Sequence, residues 1–172
     1  MNEEFKTKAR YDFHKYVMDY LQSTIRLADT KASVIIAILG VAFPVFVNKW
    51  QDISYIKDVG WYWLCLFIMI AKTVTYVVSL CFSMAVFRPR LPTSLSKGFI
   101  FFMDILGHQD VNAYVEIAKR TSPDDLLESV LYQNWSLSKI VERKFRYIYY
   151  AIMSGAGWMA LAVLAIVFIP SH

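Results

Sequence analysis

Cysteine is nearly absent from this chain. There are two, Cys65 and Cys81, and both lie in one apolar run. That rules out a disulfide framework and leaves two buried free thiols as the expectation. Histidine is also sparse. His14, His108 and His172 are scattered, with no metal-ligand spacing between them. Glycine and proline number six and five in 172 residues, so no phosphate-cradling glycine loop is present. Charge is scarce too, at 19% against 57% hydrophobic residues. A soluble domain of this length could not hide so much apolar surface, and the excess points to lipid. The net charge of +4 comes without a block of like charges, which argues against a nucleic-acid polymer as partner. No secretory signal is expected, because the first apolar run follows about thirty residues rich in charge.

Three apolar runs are present. Ala32 to Val47 carries no charge and would be about 24 Å long as a helix, short of a ~30 Å hydrocarbon core. Ile25, Leu27 and Ala28 extend it inward, with Arg26 and Lys31 snorkelling and Trp50 anchoring the far end. Pro44 falls near the exit, where a lost backbone bond matters least. The second run, Trp61 to Phe87, would be about 40 Å long and must tilt or project. The third, Tyr147 to Ile169, ends at Pro170. These bounds predict an all-α membrane protein, a single domain over 1–172. Its parts are a lead-in helix over 3–31, spans near 32–48, 61–87 and 147–169, and a helical segment over 88–146.

Lysine and arginine placement sets the orientation. Six precede the first run and nine lie between Arg88 and Arg146, whereas the loop between the first two runs holds only Lys49 and Lys57 and the C-terminal tail none. The positive-inside rule puts the N-terminus and the 88–146 segment in the cytosol and the C-terminus outside. Within the cytosolic part, Phe5, Ala9, Phe13, Tyr16, Val17, Tyr20, Leu21 and Ile25 recur at helical steps without a breaker. Ser122-Pro123-Asp124-Asp125 is a helix start, with Ser122 as N-cap and the acids at the positive end of the dipole. Asp110 caps a helix through Arg120. The long extensions of two spans should meet as a juxtamembrane bundle.

Few residues invite a functional reading, and each has a plainer one beside it. Lys72 sits mid-run, where a charge costs at least ~2.5 kcal/mol; it either faces a pore in an oligomer or snorkels toward a polar neighbour such as Thr73, Thr75 or Tyr76. Asp29, Thr30, Lys31 and Ser33 form a junction at the root of the first span, a switch contact or a polar cluster fixing the helix's depth. Arg88, Arg90 and Lys97 suit a nucleotide phosphate or lipid headgroups. Phe99 and Phe102, with Asp104, Gln133 and Trp135, are candidates for the core of the cytosolic bundle, and the Phe99, Phe101 and Phe102 rings could alternatively stack on a base. No nucleophile–base pair is visible, so an enzyme is not expected. Gly155 and Gly157, among small residues of the third run, permit close packing within the chain or between chains.

The junction Asp29-Thr30-Lys31-Ala32-Ser33 before the first span resembles the membrane effector domain of Pycsar anti-phage systems. So do Arg88-Pro89-Arg90-Leu91-Pro92 after the second span, Gly98-Phe99-Ile100-Phe101-Phe102-Met103-Asp104-Ile105, and Gln133 followed by Lys139 to Arg146. The motifs fall in order over roughly residues 15 to 169. The resemblance implies a bacterial inner-membrane protein that answers a cyclic nucleotide made during infection and damages the membrane. Three helices cannot enclose a useful pore alone, so that activity implies self-association into a homo-oligomer. The resemblance implies no cofactor, only a cyclic nucleotide ligand. Some members carry a separate cyclic-nucleotide-binding domain. No sheet-rich segment here resembles one, so recognition falls to the small bundle, to a nucleotide-sensing partner, or is absent. A non-catalytic scaffold subunit and a small constitutive channel are the competing expectations.

Overall fold

The computed structural model describes residues 3–52, 62–88 and 110–168, and among these there are four α-helices and no strand. They are α1 (Glu3–Asp52), α2 (Tyr62–Phe87), α3 (Val111–Arg120) and α4 (Pro123–Phe168). Helices α1, α2 and α4 are each long and apolar enough to cross a membrane. The all-α architecture with three spans and long helical extensions is therefore the observed one.

The termini form as their sequences dictate. Asp110 accepts from the Ala113 amide at 2.7 Å and starts α3. Ser122 and Asp125 cap α4 reciprocally: the Asp125 amide donates to Ser122 Oγ at 3.2 Å, and the Ser122 amide donates to Asp125 Oδ2 at 3.3 Å. Pro123, the first residue of α4, has no N–H to leave unsatisfied. The breaker-free lead-in does run on as the first span, in one helix of 50 residues. Pro44 does not end it, since α1 continues to Asp52.

The described residues divide into two compact units. One contains α1 up to Leu27, α3, and α4 up to Arg143. Its buried residues include Val130, Asn134 and Leu137 on one face of α4, and Asn134 Nδ2 donates to the His14 carbonyl of α1 at 3.0 Å. The other unit contains α1 from Ala28, α2, and α4 from Lys144. Three apolar clusters hold it together: Cys65, Ile68, Met69 and Ala165; Leu39, Tyr76 and Trp158; and Ala28, Ala32, Val86 and Ile148. Cys65 is buried as expected, whereas Cys81 is exposed, because it lies off the inward face of α2.

Candidate functional site

Two polar constellations lie within the second unit. The first is built on the root of the first span. Ala28 and Ala32, one helical turn apart, are fully buried and let α1 approach Val86 of α2 and Ile148 of α4 closely. Asp29, beside Ala28, forms an ion pair with Lys144 of α4, and both side chains are partly buried. Lys31 reaches the next residue of α4, with its ammonium 5.4 Å from the centre of the Phe145 ring. Ser33 Oγ donates to the Asp29 carbonyl at 3.0 Å, and Thr30 is exposed. Two successive α4 residues are thus held by two α1 residues on either side of Thr30. Such a clamp fixes the rotation and height of one helix against the other.

The second constellation runs along the inward face of α2. Lys72, Tyr76, Ser79 and Ser83 recur at steps of four, three and four, and all are buried. Lys72 is only 2% exposed, so its side chain lies among the helices and not along the lipid face. Tyr76 donates to the Leu39 carbonyl of α1 at 3.2 Å, and Ser79 to the Ala151 carbonyl of α4 at 2.8 Å. Ser83 closes back on the Ser79 carbonyl at 2.8 Å. Trp158 packs its ring 5.8 Å from Tyr76, and its buried Nε1 finds no hydrogen-bond partner among the described residues. Gly155 permits the approach: a Cβ there would lie 3.2 Å from Ser79 Oγ, while one at Gly157 would meet Thr75 at 3.9 Å. The two glycines therefore pack within the chain.

The remaining candidates separate. Arg88 follows α2 directly and is exposed, its amide donating to the Ala85 carbonyl at 3.4 Å. Arg90, Lys97, Phe99, Phe102 and Asp104 lie outside the described residues. Gln133 is half-buried. Trp135 is 63% exposed, with Lys139 Nζ 4.9 Å from its ring, and so is not a core residue. The inward face of α4 follows Val130, Asn134 and Leu137, and Trp135 is a further ~100° around the helix from Asn134. Among the described residues no group of three or more His, Cys, Asp or Glu is placed to hold a metal.

Sequence reasoning missed Lys144 as the partner of Asp29, and Ser79, Ser83 and Asn134 as buried polar groups. The serines were findable, since Lys72, Tyr76, Ser79 and Ser83 share one helical face in an apolar run. Nothing in one sequence links Lys144 to Asp29, 115 residues away.

A family model described as the Pycsar effector protein domain matches residues 13–170. The chain is also 27% identical over 151 residues to the Pycsar effector protein SaPycTM of Staphylococcus aureus, covering 87% of this chain and 90% of that protein. No solved structure matches.

Proposed function

The chain belongs to the Pycsar effector protein domain family, a family of anti-phage defence effectors, and we propose that it acts from the bacterial inner membrane when a cyclic nucleotide signals infection. Activated copies self-associate and break the integrity of the membrane, so the infected cell dies or stops growing before phage mature. The N-terminus and the 88–146 segment face the cytosol and the C-terminus the periplasm, by the distribution of lysine and arginine. The whole chain works as one effector domain. The signal is taken up by the cytosolic helices or by a nucleotide-sensing partner, with Arg88, Arg90 and Lys97 as the cations available for a phosphate or for headgroups.

The observation that carries this reading is the clamp of Asp29 and Lys31 on Lys144 and Phe145. It lies within the second unit, at the first residues that α1 and α4, each an unbroken helix, contribute to it. A change in the cytosolic helices turns α1 and α4 at this point, and the turned helices repack around the Lys72–Ser83 face. Two prolines inserted after Thr30 should uncouple signal from toxicity, and unchanged toxicity would count against the mechanism.

The decisive experiment is membrane potential in cells expressing this chain with and without a cognate nucleotide cyclase. Depolarisation only with the cyclase is expected. Depolarisation in both would favour a constitutive channel, and none in either would favour a scaffold.

A further inference from the structure

Helix α1 carries a second face whose large side chains stay exposed among the described residues. Its inward face uses Val17, Leu21 and Ile25, half-buried, and then Ala28, Ala32 and Leu39, buried. Away from these, Phe13, Tyr16, Tyr20 and Leu27 are 60%, 69%, 60% and 49% exposed. Their steps are three, four and seven. The same seven-residue period continues through Val34 and Val41, both exposed. Small exposed residues, Ser23, Thr30 and Ala37, fill the alternate positions of the repeat. In heptad terms the larger residues occupy a, with Tyr16 and the small residues at d. Such a seam, sustained over four heptads, is the pattern of a coiled coil.

We infer that this seam binds the same seam of a second copy, α1 against α1, parallel and in register. This pairing is present before activation; it deepens the proposed function by naming the contact from which larger assemblies of activated copies grow, and rests on no assumption about membrane damage.

Lipid cannot cover the aromatic part, because Lys8, Arg10, Asp12, Lys15 and Asp19 are interleaved with it and charges at that density are excluded from hydrocarbon. A second copy fits for a geometric reason. The aromatic stretch and the first span are one helix, so the bilayer fixes every copy of α1 at one depth and in one direction. Two copies then meet with a facing a and d facing d, the register a heptad seam requires. The small d residues allow the backbones to approach. The area suffices as well. At their observed exposures, three rings and three aliphatic side chains offer on the order of 700 Å² per copy, close to the ~800 Å² per partner of a standard interface.

The test is thiol cross-linking of the full-length chain in native membranes. Cys65→Ala and Cys81→Ala remove the natural thiols, and a cysteine is placed in turn at each position from 13 to 27 and joined with a short bifunctional reagent. Dimer yield should peak at 13, 16, 20, 23 and 27 and be several-fold lower at 15 and 22. A flat profile, or one peaking at 15 and 22, would overturn the inference. Because no cyclase or phage is present, the result is independent of the depolarisation assay. A periodic profile in a protein that never depolarises the membrane would refute the proposed function and leave the seam standing. The reverse outcome would remove the seam alone. If the double alanine background lowers yield everywhere, restoring Cys65 and repeating the scan should bring the same peaks back, and a profile still without them counts against the seam.

Discussion

The clamp at the root of the first span and the polar inward face of α2 solve the same problem with different chemistry. Both hold α1 and α4 in place within one unit. At the clamp, Asp29 and Lys144 keep formal charges and remain partly exposed. Along α2, the buried Tyr76 and Ser79 use neutral hydroxyls against the backbone carbonyls of Leu39 and Ala151. The difference follows from what each site can tolerate. A charge with access to water and headgroups is cheap to keep and easy to perturb, whereas a hydroxyl bound to a carbonyl adds no charge to hydrocarbon and has no competing water. The clamp is therefore the adjustable contact and the α2 face the fixed one. Lys72 is the exception, a cationic residue placed on the fixed side.

The sharpest way to break the fixed side is Gly155→Leu. A Cβ there would already lie 3.2 Å from Ser79 Oγ, so the larger body of a leucine should overpack the contact and displace that hydrogen bond, at about 2–4 kcal/mol. Unfolding in mixed micelles would show it, and a stability equal to wild type would mean that α2 and α4 pack differently.

Next comes the adjustable side. Lys144→Ala leaves Asp29 without its cation, and because both side chains keep access to solvent a loss of about 1 kcal/mol is expected in the same assay. Ser79→Ala should cost less, about 0.6 kcal/mol, the usual worth of a hydrogen bond between membrane helices. If Ser79→Ala proved more damaging than Lys144→Ala, the ranking of the two sites would reverse. The smallest effect belongs to Trp135→Ala, within about 0.5 kcal/mol, since the side chain is exposed. A larger loss would show Trp135 to be covered by a partner.

Much of this was legible from local chemistry. Asp110, Ser122, Pro123 and Asp125 announce two helix starts because capping depends on neighbours three residues apart. The unbroken stretches into the spans announce α1 and α4 by lacking breakers. Which face of each helix turns inward was harder. In a membrane chain apolar residues cover several faces, so period alone did not distinguish Trp135 from Leu137 on α4. The smaller neighbours decided it: Ala28, Ala32 and Gly155 mark close approach better than any large residue does. The pairing of Asp29 with Lys144 was not legible, because a contact 115 residues apart leaves no local trace.

Charge exchange tests the clamp as the coupling element. Asp29→Lys and Lys144→Asp each place like charges together, and the double variant restores an ion pair with its polarity reversed. Membrane potential is followed in cells expressing each variant with the cognate cyclase. Each single variant should lose the cyclase-dependent depolarisation, and the double variant should recover it. Single variants that depolarise like wild type, or a double variant as inactive as either single one, would contradict a role for the Asp29–Lys144 pair in carrying the signal to the membrane.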